Sequence, residues 1–168
     1  MKLAVFSDIH VNLTALEAVL ADLGSVGEVD QVWCLGDLAA FGPRPTECVK
    51  RVREMQESLG KEKMRVIGGN TDRYLVTGER FKVKPKKDAE SFAGFAEELK
   101  TRDIILNWNV QTLTWEDYEY LKGILGKETS LNAEGYGWVV GYHAIPGDDE
   151  AMLRPDTPEE EAADALLD

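Results

Sequence analysis

Three short apolar runs, residues 2–7, 30–35 and 64–67, alternate with two helix-periodic segments, residues 13–23 and 46–59. This alternation constrains the fold most. The first run is almost continuously apolar, as expected for a strand covered on both faces. In residues 13–23, Leu13, Leu16, Val19, Leu20 and Leu23 share one helical stripe, and Asn12 is placed to cap it. In residues 46–59, Val49, Val52 and Met55 point inward, after the rigid loop 41–45. Strand–helix–strand order requires crossover connections, and these produce a layered α/β core. At 168 residues the chain is expected to form one domain, residues 1–168.

The remainder is less regular. Residues 77–87 hold Lys82, Lys84, Lys86 and Lys87 around Pro85. They read either as a solvated linker or as a basic lip for an anionic substrate. Residues 88–101 are expected to be helical, with Phe92, Phe95, Ala96 and Leu99 on one face, and 107–113 a short strand or turn. Residues 114–125 begin with Thr114 and Asp117 at capping-box spacing and turn Trp115, Tyr118, Leu121 and Leu125 inward. Residues 138–142 form another strand, and 146–154 an acidic loop. Thr157, Pro158 and Glu160 start a last helix. Its apolar face is only beginning at Asp168, so the chain is expected to stop short of a further strand.

Composition narrows the partners. A net charge of −12 argues against a general nucleic-acid or anionic-membrane surface, since both require clustered cations. A phosphate substrate would therefore need local help from bound cations or a placed Arg. Cys34 lies inside an apolar run and Cys48 in a helix, without CxxC spacing. Two isolated thiols suit a reducing compartment, and the cytoplasm is the expected location. Met1-Lys2 leads directly into the first strand, so no signal peptide is expected. No apolar stretch approaches the ~20 residues that span a bilayer.

The chemistry lies where the strands end. There the chain carries Asp8 and His10, Asp37 after Gly36, Asn70 after Gly68-Gly69, and His143. The two histidines are the whole imidazole complement. Singly, each residue has an ordinary explanation: a helix cap for Asp, a packed His, a turn for Asn. Together, in order, they offer mixed nitrogen and oxygen ligands without thiolate, which suit Mn, Fe, Zn, Ni or Co. In an α/β sheet the carboxyl ends of strands are also where ligands bind.

Asp8-Ile9-His10, Gly36-Asp37, Gly69-Asn70 and His143 resemble successive motifs of the calcineurin-like metallophosphoesterases. Ser7-Asp-Ile-His-Val-Asn12, Phe41-Gly-Pro43 and Gly69-Asn-Thr-Asp72 resemble its small bacterial phosphodiesterase branch. The resemblance implies a four-layer α/β/β/α sandwich, here cut short at its C-terminus. It implies two divalent ions, foremost Mn or Fe, with Ni or Zn as alternatives. Asp8 and His10 would hold the first, Asp37 would bridge, and Asn70 and His143 would hold the second. A metal-bridging hydroxide would then hydrolyse a phosphodiester or small phosphomonoester, since paired ions about 3.5–4 Å apart activate water and clamp the reacting oxygens.

Three departures from the family pattern bear on this reading. Val11 stands where the family usually has Gly. Thr71 stands where it commonly has a proton-donating His, leaving Asp72 either as substitute donor or as support for the ligands. The family's later Gly-His-x-His motif is absent: truncation is the favoured expectation, with ligands from another chain or a degenerate site of one metal or none as the alternatives. Asn12 and Arg73 are candidate substrate contacts, with a surface ion pair as the alternative for Arg73. A non-catalytic scaffold of the same fold is the alternative function, and a phosphoprotein phosphatase a weaker one. Missing strands would expose sheet edge and helix face, so either homodimerisation or poor solubility is expected.

Overall fold

The computed structural model of the protein describes residues 1–83 and 85–167. Lys84 of the basic loop and Asp168 of the last helix lie outside the described residues. The elements run β1 (Leu3–Phe6), α1 (Leu13–Ser25), β2 (Gln31–Leu35), α2 (Pro45–Leu59), β3 (Met64–Ile67), α3 (Asn70–Thr77), α4 (Ala89–Thr112), α5 (Trp115–Ile124), β4 (Thr129–Ala133), β5 (Gly137–Gly141) and α6 (Glu159–Leu167).

The fold is α/β. Strands β1, β2 and β3 form a parallel sheet in that order, with Phe6 opposite Cys34 and Cys34 opposite Val66. The two faces of β2 build two cores. Val32 and Cys34 join Val66 and the inward residues of the helices, among them Leu16, Val49, Val52, Leu106 and Leu121. Trp33 points the other way, into a smaller cluster with Leu131, Ala133 and the flanking Val139. Those residues belong to the antiparallel hairpin β4–β5. Helices, parallel sheet and hairpin thus stack in the order of the first three layers of an α/β/β/α sandwich. The outer hairpin face carries Trp138 and Val140, both exposed.

Several elements differ from the expectations above. β1 is an edge strand, and its Val5 is exposed, because the hairpin packs over Trp33 rather than over the sheet margin. The segment 107–113 is neither strand nor turn: α4 continues through it to Thr112. No Gly or Pro interrupts residues 95–112, and Asn109 is satisfied inside the helix, donating to Ile105 O at 3.0 Å. The burial of α4 also lies elsewhere. Its inward anchors are Leu106 and Asn109, while Phe92 is exposed. Trp115 is exposed too, stacked on Tyr118. The Thr114–Asp117 capping box forms, and Asn12 caps α1 by accepting from Ala15 N at 3.1 Å. Among the described residues no helix is long and apolar enough to cross a membrane.

Candidate metal centre

The ends of β1, β2 and β3 and the residues after β5 converge on one cleft of about 520 Å³, lined by Asp8, Asp37, Asn70 and His143 among others. Its backbone is unusual. Asp8, His10, Val11 and Asp37 all have positive φ, at 55°, 44°, 48° and 53°. For residues with a Cβ this conformation is disfavoured, and it persists only where surroundings enforce it. Here two loops are laced together. Asp8 N–H donates to Gly36 O at 3.0 Å, His10 N–H to Asp37 O at 3.0 Å, and Val11 N–H to Leu38 O at 3.1 Å. The lacing turns both Asp8 and His10 toward Asp37.

Glycine brings the third loop in. A Cβ on Gly69 would lie 2.2 Å from Asp37 Oδ1 and 2.7 Å from His143 Cε1. With hydrogen there instead, Asn70 and His143 close on Asp37.

Asp37 stands between two groups. Its Oδ2 is 3.6 Å from His10 Nε2, which is also 3.6 Å from Asp8 Oδ1. Its Oδ1 is 3.5 Å from His143 Nε2 and accepts the Thr71 N–H at 2.9 Å. His143 Nε2 lies 3.1 Å from Asn70 Oδ1. Ligand atoms of Asp8, His10 and Asp37 all lie within 4.8 Å of one another, a group able to hold a cation.

The donor and acceptor roles show what this arrangement lacks. His143 Nδ1 lies 2.6 Å from Leu35 O, so it must carry a proton and donate. In the neutral ring Nε2 is then a lone pair facing two oxygen acceptors, Asn70 Oδ1 and Asp37 Oδ1. His10 Nδ1 is buried without a partner, and its Nε2 is too far from either carboxylate for a hydrogen bond. Asp37 is 3 % exposed. Burial pushes its carboxyl up, against the opposing pull of His143 and of the Thr71 N–H. Acceptors converging with the Thr71 N–H as their donor, around a buried carboxylate, leave lone pairs that a cation would satisfy. Oxygen and imidazole donors fit a divalent ion of the Mn–Zn range.

The other candidates lie around this core. Asp72 is wholly buried. Oδ1 accepts from Ala39 N at 2.9 Å, and Oδ2 from Leu38 N at 3.2 Å and Gly69 N at 3.0 Å. Neither oxygen opens onto the cleft, so this geometry favours support of the ligand loops over proton donation. Thr71 is buried and donates Oγ1–H to Ala39 O at 2.8 Å. Arg73 does not face the cleft freely: it pairs with Asp149 and Glu150 at 2.7–2.8 Å and also with Glu79. Those carboxylates hold its guanidinium strongly in the charged form. Asn12 lies beside Asp8 and His10, with its carbonyl engaged in the α1 cap. From the basic loop, Lys82 lines the cleft, with Nζ 3.4 Å from Asp148 Oδ2.

Two contributors were not read from the sequence. Ser7 Oγ–H donates to Asp8 Oδ2 and helps fix that carboxylate. Leu35 supplies the carbonyl that sets the His143 tautomer. Only Ser7 had a signal, its place in the first motif.

The sequence pattern of the calcineurin-like phosphoesterase superfamily domain matches residues 1–125. The chain belongs to this superfamily. The matched part contains Asp8, His10, Asp37 and Asn70; His143 lies beyond it. An uncharacterised protein of Methanocaldococcus jannaschii is 47 % identical over 111 residues, 66 % of this chain and 40 % of that protein. A symmetrical bis(5'-nucleosyl)-tetraphosphatase of Pectobacterium atrosepticum is 33 % identical over 76 residues, 45 % of this chain and 25 % of that enzyme. A hypothetical protein of Pyrococcus horikoshii, whose crystal structure is solved, superposes with a TM-score of 0.70 at 20 % identity, over 97 % of this chain and 63 % of that one. That likeness shows a shared fold over nearly the whole chain. The chain spans well under half the length of the curated relatives it matches.

Proposed function

We propose that the protein hydrolyses phosphoesters with the help of two divalent metal ions. Asp8 and His10 would hold the first, Asn70 and His143 the second, and the Asp37 carboxylate would be shared by both. One observation carries this reading: the Asp37 carboxylate is split, Oδ2 toward His10 and Oδ1 toward His143, at 3.6 and 3.5 Å. Bound ions would supply Lewis acidity, lowering the pKa of a water and neutralising the phosphate. The chain's own residues do the rest. The Leu35 carbonyl keeps the His143 Nε2 lone pair turned inward, and Thr71 N–H and the laced loops hold Asp37 in place. Local cations also answer the acidic net charge, which would otherwise repel phosphate.

The substrate class is a phosphodiester or small phosphomonoester, and the metal Mn or Fe ahead of Ni or Zn. Membership of a phosphoesterase superfamily and the tetraphosphatase relatives support hydrolysis of phosphate esters and anhydrides in general. Thr71 supplies no acid near neutral pH, so substrates with good leaving groups are favoured; general acid help is typically worth about 10²–10⁴-fold. The reduced, buried Cys34 and Cys48 support a cytoplasmic location.

The test is hydrolysis of bis(p-nitrophenyl) phosphate with and without Mn²⁺. Metal-stimulated turnover that collapses in Asp37→Ala and Asn70→Ala is expected. Absence of turnover with Mn²⁺, Fe²⁺, Ni²⁺ and Zn²⁺ would overturn the enzyme reading in favour of a scaffold.

A further inference from the structure

Asn70 and His143 come from elements that share no backbone ladder. Asn70 opens α3 after the parallel sheet, and His143 follows the hairpin strand β5 by two residues. Among the described residues no strand of the parallel sheet pairs with the hairpin, which packs against it through the small Trp33 cluster. The His143 ring is tied to the sheet through Nδ1 and Leu35 O. One hydrogen bond sets a distance, but not by itself the approach of Nε2 to Asn70.

A second tie lies just beyond. After His143 the chain turns at Ala144, φ 68°, and folds back on itself. Ile145 and Asp148 exchange backbone hydrogen bonds at 3.3 Å, and Asp148 Oδ1 accepts from Glu150 N at 2.9 Å. This compact turn presents Asp149 and Glu150 to α3, where Arg73 stands three residues after Asn70. Arg73 Nε and Nη2 donate to the two oxygens of Asp149, each at 2.8 Å, and Nη2 also to Glu150 Oε1 at 2.7 Å. The paired bonds are the fork that guanidinium makes with carboxylate, which fixes direction as well as distance. Glu150 is gripped from its other side too, since Oε2 accepts Lys82 N at 2.9 Å. Its side chain is only 13 % exposed, so water competes weakly for it.

We infer that Arg73 is a positioning residue for the second ion: through Asp149 and Glu150 it sets the approach of His143 to Asn70. Its guanidinium is spent on carboxylates, so it acts on the centre through His143. The ion rests on the proposed function; the restraint of His143 does not.

The chain has two histidines, so nitrogen-labelled histidine reports the two rings alone, and His10→Gln assigns them. In alkaline buffer, where imidazoles are neutral, the ring nitrogen shifts give the tautomer. This is a property of the folded molecule that a uniform loss of stability does not move. In the wild type His143 is expected as the Nδ1–H tautomer. Arg73→Met should raise its minor tautomer about fivefold, the scale of a partly exposed ion-pair network, and leave His10 unchanged. Asp149→Asn combined with Glu150→Gln releases the clamp from the other side and should do the same. Glu79→Gln removes only the exposed arm of the network and should match the wild type. An unchanged His143 ring in either clamp variant, or equal shifts at His10 and His143, would overturn the inference. So would a shift in Glu79→Gln as large as theirs.

Zn²⁺ titration of the same rings judges the ion separately. Arg73→Met is expected to need about fivefold more Zn²⁺ for the half-maximal shift at His143, with His10 within about twofold of the wild type. Equal weakening at both rings would overturn a role directed at the second ion. If the wild-type His143 ring does not respond to Zn²⁺, the two-ion reading fails, while an Arg73-dependent tautomer still upholds the restraint.

Discussion

Asp37 Oδ1 and His143 Nε2 approach to 3.5 Å, although the two residues follow strands of different sheets, β2 and β5. With Nδ1 committed to Leu35 O, His143 turns Nε2 toward Asp37 Oδ1 and Asn70 Oδ1. A cation bound among these groups should stabilise the fold. Saturating Mn²⁺ is expected to raise unfolding stability by about 2.7 kcal/mol at one hundred times its Kd, and Asp37→Asn to lose most of that gain. Urea unfolding with Mn²⁺ and with chelator measures it. An undiminished gain in Asp37→Asn would remove Asp37 from the metal site.

Asp72 supplies a pH dependence. Burial, partly offset by three backbone N–H groups, pushes its carboxyl up to about 6 from an ordinary 3.8. A raised carboxyl means that the folded state binds the proton more tightly than the unfolded chain. Between these two values the native protein holds more protons, so stability falls as pH rises from about 4 to about 6 and levels off above. The expected loss in metal-free protein is about 3 kcal/mol. Asn at this position keeps one acceptor but turns an NH₂ group toward Leu38 N–H and Gly69 N–H. Asp72→Asn should thus flatten the pH slope while lowering stability at every pH by about 1–3 kcal/mol. Denaturation midpoints at pH 4, 5, 6 and 7 check both effects. A slope that persists unchanged in Asp72→Asn would assign it to another group.

Arg73 tests whether proximity to the cleft implies substrate binding. Three carboxylates occupy its guanidinium, and the side chain is only 25 % exposed. Replacing it leaves Asp149 and Glu150 facing each other without a cation. Arg73→Met is expected to lower stability by about 1 kcal/mol, the scale of a partly exposed ion-pair network, and to leave KM nearly unchanged. A large rise in KM with kcat preserved would restore Arg73 as a phosphate contact.

The parallel sheet, and the strand ends that bring Asp8, His10, Asp37 and Asn70 together, were legible in the sequence because burial produces continuous apolar runs. β2 illustrates this: Val32 and Cys34 serve one core, Trp33 the other. β4 was not legible. Its inward positions are Thr129, Leu131 and Ala133, too small and too polar to stand out, and only pairing with β5 makes them a strand. The length of α4 was hidden as well, since Asn107 and Asn109 disfavour helix locally. The buried Asn109 amide donates to Ile105 O within the helix, while its carbonyl accepts from Ala40 N, a tertiary contact. At the site, residue order pointed to the side chains that converge on Asp37. The engagement of Arg73 by Asp149 and Glu150 could not be read, because it joins segments far apart in the chain.

Val11 is the position at which a local rule and the core disagree. The related motifs usually carry Gly there, and φ is 48°, a strained value for a β-branched residue. Yet the side chain is fully buried. Relief of left-handed strain is worth about 1–2 kcal/mol, whereas removing a buried Val side chain forfeits about 1.5–3 kcal/mol. Packing wins by a small margin, so Val11→Gly is expected to lose no more than about 1–2 kcal/mol. Val11→Ala removes most of the same side chain without granting glycine's freedom at positive φ, and should be the less stable variant. Paired urea unfolding of the two decides it. If Val11→Ala proves more stable than Val11→Gly, the strain at this turn is smaller than its backbone angle implies, and the tension between the ligand loop and the core lies elsewhere.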